Sequence, residues 1–572
     1  MMRRSLNHGH GAAVLTRALP VLVWCAAPVL VACTGIIADP MVRDRDAGPG
    51  SQPDADSGVV LDPEAPFDPG TSPLRQLTHA QYDLTVQHLL GLDGTTSETF
   101  PSEDAVDGYT GQAETQSATP LRVERYGTAA RELATDVTRT GRLADLVPCE
   151  PVGVDDRSCM ERFVRTFTLR AFRRPATEPQ VADLTDRGLE DAAAAGDFFE
   201  GASLVLEIVL QLPSFLYHVE VAEPSEERPP FLALDDFSVA NRLAYLIRGS
   251  MPDDDLLATA AAGGLGTEAE VRAAAERLLD DALARRAIDG FFREWLFYAQ
   301  IEGATKDSSR FPEFDAELAR AMVEETRLVF EDLVWGSDLS FGVLLTADET
   351  FVNDRLAVLY GVDGVDGGSF VRVRLPAERR GLFGQASFLG VNAGASTTSP
   401  TLRGKLVRER LLCQEIDDPP PGVNFAAINP AEEESRSTRE RLAAHLQESC
   451  NECHKRMDPI GFGIEHFDAI GRYREEDEGG PIDATGYLDG VDESEFDGLA
   501  ELVAQLERTG EVDRCLVLQF SRWARGRGAE PADARTLADL HAGFERSGSR
   551  VRELILGYAT SDALRFVRPE EE

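Results

Sequence analysis

The sequence predicts a mainly α-helical protein built from several modules, with a small β-hairpin element near the C-terminal third. Apolar residues recur at intervals of three and four through most of the chain, which is the period of a helix with one buried face. Period-two alternation is scarce. From about Pro73 to Pro569 the composition is that of a globular protein, and this length predicts three to five domains.

The N-terminus, Met1–Ala32, has the pattern of an export signal, in which basic residues precede the apolar run Ala18–Ala32. The run ends in Leu30-Val31-Ala32-Cys33, which is typical of a bacterial lipobox and makes Cys33 the predicted lipidation site. Several acyl chains on Cys33 would anchor the protein stably, with the outer membrane favoured. The alternative is an ordinary signal peptide cleaved near Ala32.

Residues 33–70 predict a disordered tether, because Asp, Pro and Gly dominate and few large apolar residues follow Ile37. The whole chain is strongly acidic, with 99 acidic and 57 basic residues and a formal net charge of −42. Nucleic acid and anionic membrane surfaces both favour positive charge, so the balance argues against either as a partner. Beyond the N-terminal segment, no apolar stretch is long enough to span a bilayer.

Helical periodicity predicts most of the secondary structure. Thr78–Gly91 shows the pattern well, with an N-cap residue, a buried stripe and a terminal glycine. Alternation at Phe370–Leu375 predicts a strand, and Pro481–Leu488 predicts a hairpin. The other predicted helices are Val123–Thr138, Cys159–Ala171, Phe198–Leu212, Asp236–Arg248, Glu268–Leu296, Phe314–Trp335, Pro400–Cys413, Arg436–Cys450, Leu499–Glu507, Asp513–Arg525 and Ala532–Phe544.

The motif with the most chemical information is Cys450-Asn451-Glu452-Cys453-His454. C-x-x-C-H is the attachment signature of c-type haem, in which two thiols add to the haem vinyl groups and the histidine ligates the iron. The sequence therefore predicts one haem c on Cys450, Cys453 and His454. A Cys450–Cys453 disulfide and half of a zinc knuckle are the alternatives.

The sequence does not determine the second axial ligand of the predicted haem iron. Met457 lies one turn after His454 and cannot reach the opposite face of the iron. His466 is the first candidate, followed by His445 and His541. A distant methionine such as Met251 or Met322, or an open sixth position, are further possibilities.

The order of local signatures resembles a secreted, cytochrome-like multi-module family first catalogued in planctomycetes and common in myxobacteria. The signatures are Leu74–Leu92, Arg170–Pro175, Asn241–Arg248, Cys450–Arg472 and Arg514–Arg527. The resemblance covers nearly the whole chain after the tether and implies five adjoining domains of unknown function. The modules implied are 71–145, 146–225, 226–365, the cytochrome-like module 366–492, and 493–572, after a signal at 1–32 and the tether at 33–70.

Six cysteines remain after Cys25 and Cys33 are assigned to the N-terminal segment. If haem takes Cys450 and Cys453, the other four permit two disulfides in an oxidising compartment. One arrangement is Cys149–Cys159, which closes a short loop, with Cys413–Cys515, which joins the fourth module to the last. Connectivity cannot be deduced from sequence.

Two function classes follow. The first is a lipid-anchored c-type haem protein of the cell envelope, periplasmic or surface-exposed, with an electron-transfer or oxidoreductase-accessory role and a redox partner protein. The second is a non-redox surface lipoprotein that binds a polysaccharide or protein, in which Cys450–Cys453 is a structural disulfide. Nucleophile elbows, zinc-protease motifs and phosphate-binding loops are absent from the sequence, and no catalytic residues are predicted.

Overall fold

The computed structural model describes residues 59–336, 339–417, 437–446, 448–478 and 480–569. The predicted signal at 1–32, Cys33 and residues 34–58 of the predicted tether lie outside the described residues. The mainly α-helical prediction is confirmed, because helices account for most of the described chain and its strands are short. None of the helices in these ranges combines the length and the apolar character needed to cross a bilayer.

The first two predicted modules share one hydrophobic core. Tyr82 packs edge to face on Phe100 and Phe215, with ring centroids 5.0 and 5.8 Å apart, and so joins the first module to the second. The helices of this part are His79–Leu90, Pro120–Arg139, Arg142–Leu146, Arg157–Ala171, Glu178–Ala195, Phe198–Val209 and Pro213–Leu216.

The predicted helix Thr78–Gly91 shows how sequence sets the helix ends. Thr78 and Gln81 form a reciprocal capping box at the start, and Gly91 adopts a left-handed conformation that ends the helix His79–Leu90. Both ends agree with the prediction, because the cap residues that the sequence shows make the expected hydrogen bonds.

The third predicted module is also helical. Its helices are Asp236–Arg248, Asp254–Ala261, Glu268–Leu279, Ala282–Leu296, Ala316–Trp335, Val343–Thr346 and Asp354–Tyr360. The single helix predicted over Glu268–Leu296 is therefore two helices. Asp281 caps the second one by accepting a hydrogen bond from the Leu283 amide, and a cap at this point interrupts the periodic stripe.

The fourth predicted module contains the C-x-x-C-H motif, and the fifth packs against it. The helices of these two parts are Ala386–Val391, Pro400–Leu406, a π-helical turn Val407–Leu411, Thr438–Leu442, the 3₁₀ turn Ala443–Leu446, Glu448–Phe462, Leu499–Thr509, Glu511–Arg525, Ala534–Arg546, Val551–Thr560 and Asp562–Arg565. The prediction of one helix over Arg436–Cys450 is wrong in its bounds. A new helix, Glu448–Phe462, begins just before the motif and continues through Pro459.

The described strands pair antiparallel. Val371–Arg374 confirms the strand predicted at Phe370–Leu375 and pairs with Glu349–Val352. The hairpin predicted at Pro481–Leu488 differs from the structure, since Gly480–Pro481 pairs back with Glu476–Asp477 and Thr485–Gly486 pairs forward with Phe496–Asp497. A three-stranded sheet joins distant parts of the chain: Ala222–Pro224, Leu232–Leu234 and Phe566–Val567.

The last module also contacts the first module and the end of the predicted tether. The Tyr109 hydroxyl donates to Gln519 at 2.8 Å, although 410 positions separate them. Asp68 binds Arg568 at 2.6 Å, and Val59 is buried. Residues 59–70 of the predicted tether are thus held against the globular body by specific polar and apolar contacts.

Candidate functional site

The C-x-x-C-H residues lie in the first two turns of the helix Glu448–Phe462, hereafter the Cys450 helix. Cys450, Cys453 and His454 are all half-buried. Residues three and four apart share one face of a helix, so the two thiols and the imidazole border the same region beside it. This is the arrangement that covalent haem attachment with a proximal histidine requires.

His454 is oriented by Asp458, one turn further along the same helix. Its Nδ1 atom lies 3.1 Å from each Asp458 carboxylate oxygen. An ionised carboxylate can only accept hydrogen bonds. Nδ1 of His454 therefore carries the ring proton and donates a hydrogen bond to Asp458. The Nε2 lone pair of His454 is then available for a metal, and the carboxylate fixes both the tautomer and the direction of the ring.

Asp458 also receives two further hydrogen bonds. His445 Nδ1 lies 2.9 Å from one carboxylate oxygen, and the Thr401 hydroxyl donates to the other at 2.7 Å. Burial by itself would raise the pKa of the Asp458 carboxyl, but hydrogen bonds from His445, His454 and Thr401 outweigh it and lower that pKa below its usual value. Asp458 is therefore a buried, ionised group that positions two imidazoles.

His445 lies beside His454. Their ring centroids are 3.8 Å apart and both Nδ1 atoms bind one carboxylate. Because both imidazoles lie side by side on one carboxylate, His445 would help to hold Asp458 and His454 in place. The same three groups, His445, His454 and Asp458, have ligand atoms within 4.8 Å of one another and match the donor types of a small metal site.

The other predicted axial ligands lie elsewhere. His466 Nδ1 is 2.9 Å from the Arg474 carbonyl oxygen, and its ring stacks on Tyr473. His541 belongs to the helix Ala534–Arg546 of the fifth module, where its Nδ1 is 3.8 Å from Glu545. The three methionines considered are all buried: Met251, Met322 and Met457. The structure thus brings His445, but neither His466 nor His541, into the hydrogen-bonded cluster around Asp458.

Both disulfides that the cysteine spacing allowed are formed. Cys149 is bonded to Cys159, and Cys413 is bonded to Cys515, which ties the fourth module to the fifth. Neither Cys450 nor Cys453 is in a disulfide. The disulfides therefore use the other four cysteines of the described chain and leave the two thiols of the motif.

The Cys450 helix is held by close backbone packing against the helix Pro400–Leu406. Gly461 lies so near the Pro400 carbonyl that a β-carbon on it would be 1.9 Å from that oxygen. The fully buried Arg403 donates to the carbonyl oxygens of Ile464 and Phe467, at 3.0 and 2.9 Å, in the turn that follows the helix. These contacts fix the helix that carries the motif.

The donor set fits a haem c. Two thiols outside any disulfide lie one turn apart, and a histidine with a carboxylate-bound Nδ1 follows directly. Sequence reasoning identified the cysteines and His454 but missed Asp458 and Thr401. The spacing from His454 to Asp458, one helical turn, is the sequence signal from which a histidine–carboxylate pair could have been predicted.

Comparison with known proteins gives five successive family matches, each described as a protein of unknown function. The matches are DUF1587 at residues 75–139, DUF1595 at 159–220, DUF1592 at 234–362, DUF1588 at 379–477 and DUF1585 at 492–564. The fourth match includes the Cys450 helix and has the short name PSCyt3, which is cytochrome-like. The chain belongs to the multi-module family built from these five adjoining domains, as the resemblance predicted. No curated protein and no solved structure matches the chain.

Proposed function

We propose that this protein is an exported, lipid-anchored c-type haem protein with an electron-transfer or oxidoreductase-accessory role. One haem c would be attached through Cys450 and Cys453, with His454 as an axial ligand. When bound, such a haem supplies one-electron redox chemistry.

One observation carries this proposal: the hydrogen bond of His454 Nδ1 to Asp458 on a helix whose two cysteines stay out of the disulfides. A structural Cys450–Cys453 disulfide needs no oriented imidazole beside it. An iron ligand does, because a carboxylate on Nδ1 fixes the ring and raises the basicity of Nε2. The cytochrome-like family name of the fourth domain gives independent support.

Residues near His454 would hold the imidazole and the thiols in position. Asp458 accepts the Nδ1 proton, and Thr401 and His445 hold Asp458 in turn. Burial raises the pKa of the Cys453 thiol, so that this thiol stays protonated near neutral pH. Attachment at Cys453 then depends on positioning of the thiol more than on its acidity.

The cellular setting that we propose follows from the N-terminal sequence. Cleavage before Cys33 and acylation of Cys33 would place the protein in the cell envelope, at the outer membrane, through a lipid anchor. A redox partner protein is the expected partner. The net charge of −42 favours a protein over a nucleic acid as the binding partner, because nucleic acid is itself negatively charged.

The test is an absorbance spectrum of the mature chain produced together with cytochrome c maturation enzymes, then denatured and acid-extracted. We expect a haem band that stays with the polypeptide. The Cys450→Ala/Cys453→Ala variant should lose it, whereas His541→Ala, a histidine change in the fifth domain, should keep it.

Two results would contradict the proposal. A colourless protein with a Cys450–Cys453 disulfide by mass spectrometry would favour the alternative, a non-redox lipoprotein that binds a polysaccharide or protein. A colourless protein that retains one zinc ion, lost in His454→Ala, would instead assign the cluster around Asp458 to a metal.

A further inference from the structure

A cavity of about 420 Å³ lies where four of the five domains meet. Its lining includes Arg75 and Thr110 of the first domain, His218 of the second, Asn241 of the third and Trp523 of the fifth. No lining residue comes from the matched range of the fourth domain, 379–477. The cavity is thus separate from the Cys450 helix, and its volume is in the range of small-molecule sites.

One wall of the cavity contains a buried histidine and amide. His218 Nε2 lies 3.3 Å from the Gln81 side-chain oxygen, and His218 Nδ1 lies 3.4 Å from Asn241 Nδ2. Burial, together with the nearby charge of Arg75, lowers the pKa of His218 well below its usual value, so the ring is neutral. A neutral ring that donates to Gln81 must accept from Asn241.

If the Asn241 amide nitrogen donates to His218, the other atom of the amide, the oxygen Oδ1, needs a hydrogen-bond donor of its own. Its Oδ1 atom has no hydrogen-bond partner among the described residues, although Asn241 is only 3% exposed. Buried acceptors are normally satisfied, and an unsatisfied one costs free energy. Asn241 is one of the residues that line the cavity, so a ligand that carries an O–H or N–H donor would satisfy this oxygen if it reached past the groups that cover it.

Arg75 contributes a second unmatched group. Three other arginines of the lining have a carboxylate partner: Arg242 with Glu220 at 2.6 Å, Arg293 with Asp289 at 2.5 Å, and Arg525 with Asp533 at 2.7 Å. The Arg75 guanidinium, by contrast, makes no hydrogen bond or ion pair with the described residues. Its side chain lies against Gly526, where a β-carbon would come within 2.5 Å of it.

The carboxylate whose charge acts most on Arg75 is Glu220, but Glu220 is already paired with Arg242 at 2.6 Å. Glu294 also lines the cavity, and its environment weakens it as a counter-charge. Burial raises the pKa of Glu294 to about 7, although hydrogen bonds from Thr110 and Trp523 oppose the shift. Near neutral pH this carboxyl is therefore about half protonated. It already accepts the Thr110 amide proton at 3.3 Å. The cavity thus has a surplus of positive charge at Arg75.

We propose that this cavity binds a small organic carboxylate that also carries a hydroxyl or amino hydrogen-bond donor. The carboxylate would pair with the Arg75 guanidinium, whose planar shape suits two parallel hydrogen bonds. The donor would satisfy Asn241 Oδ1. His218 connects the two groups, because its amide donates to the Arg75 carbonyl at 2.9 Å and its ring accepts from Asn241.

A binding role and a structural role of Arg75 predict opposite effects on stability. An unpaired buried charge destabilises the ligand-free protein, so Arg75→Met should raise its melting temperature while it weakens ligand binding. A structural arginine would lower the melting temperature when replaced. Asn241→Leu should also weaken ligand binding, but it should not raise the melting temperature in the same way, because it removes the donor to His218 together with the unsatisfied acceptor.

The experiment uses the full mature chain and isothermal titration with sodium D-glucuronate, L-malate and L-glutamate. D-glucose and sodium sulfate serve as the uncharged and inorganic comparators. We expect saturable binding of at least one carboxylate, weaker by about tenfold or more in Arg75→Met, as expected for one lost charge-assisted contact. Arg131→Met, which changes an exposed arginine on the helix Pro120–Arg139, should leave binding unchanged.

The outcomes separate this proposal from the haem proposal. Binding should persist in Cys450→Ala/Cys453→Ala, because the fourth domain contributes nothing to the described lining. The proposal is overturned if no carboxylate binds, if Arg75→Met binds as tightly as the wild type, or if sulfate binds as tightly as the carboxylates. Circular dichroism establishes that each variant is folded, and Asn241→Leu tests the site independently of Arg75.

Discussion

Gly404 lies directly against the backbone of Met457, and a β-carbon on Gly404 would be 1.9 Å from the Met457 carbonyl oxygen. Together with Gly461 against Pro400, this contact lets the helix Pro400–Leu406 and the Cys450 helix approach backbone to backbone. The position of the C-x-x-C-H motif therefore depends on glycines outside it.

Gly404→Ala should force these two helices apart. We expect a loss of about 1–3 kcal/mol in the free energy of unfolding, which is typical of overpacking. If the proposed haem is attached, the fraction of haem-loaded protein should also fall. Gly543→Ala is the matched control. A β-carbon at Gly543 meets only the end of the Arg546 side chain, at 3.8 Å, so alanine should be neutral or mildly stabilising in that helix. Calorimetry of both variants gives the comparison, and equal effects would contradict the packing argument.

The two disulfides should contribute unequally to stability. Cys413–Cys515 spans 102 positions and Cys149–Cys159 spans 10. Chain entropy predicts a stabilisation of about 4–5 kcal/mol for the longer loop and about 3 kcal/mol for the shorter. We expect Cys413→Ser/Cys515→Ser to lower the melting temperature more than Cys149→Ser/Cys159→Ser does. The reverse order would show that local strain or unfolded-state structure dominates.

Glu325 should make the protein less stable as the pH rises. Burial raises its pKa to about 7 from 4.5, although hydrogen bonds from Tyr360 and Thr350 oppose the shift. The unfolded chain therefore releases this proton at lower pH than the folded protein does. The stabilisation is complete below pH 4.5 and is lost as the pH rises through about 7, by up to about 3 kcal/mol.

Glu325→Gln removes this titration, because glutamine resembles the protonated acid. Denaturation between pH 5 and 8 should show a smaller decline in stability for the variant than for the wild type. Glu317→Gln, on the same helix but 70% exposed, should follow the wild type. Parallel curves for the wild type and Glu325→Gln would show that Glu325 is ionised throughout.

Asp458→Asn tests the orientation of His454, and it depends on the proposed haem. An amide in place of the carboxylate removes a negative charge next to the imidazole, which disfavours the oxidised iron. We expect the midpoint potential to rise by about 50 mV, or roughly 1 kcal/mol for one electron. Glu452→Gln changes a carboxylate of the same helix that is 81% exposed, and it should shift the potential less. An unchanged potential in Asp458→Asn would remove Asp458 from the iron's environment.

The sequence was most informative where local signals decide the structure. Thr78, Gln81 and Gly91 determine both ends of one helix through contacts within four residues. Val371–Arg374 alternates as a strand and is one. The number of cysteines and the predicted oxidising compartment indicated which four cysteines could form two disulfides. Their pairing was established only by the structure.

The sequence was least informative where contacts are distant. The partner of Thr485–Gly486 is Phe496–Asp497, and nothing local selects it over a nearer segment. The cluster around Asp458 brings together Thr401, His445 and His454 from three separate elements. Thr401 and His445 reach Asp458 through tertiary packing, which leaves no periodic or spacing signal in the sequence. The pairing of His454 with Asp458 is local, since one helical turn separates them, and that spacing was overlooked.

The contacts between the first and last domains have a consequence for biosynthesis. The buried Tyr109 obtains its hydrogen-bond partner from Gln519, and the Ala113 amide obtains its acceptor from Gly526. The first domain therefore cannot form all of its contacts until residues 519–526 of the last domain have been synthesised. We expect the nascent chain to need chaperone protection until the last domain has been synthesised, and we expect the five domains to be inherited as a unit.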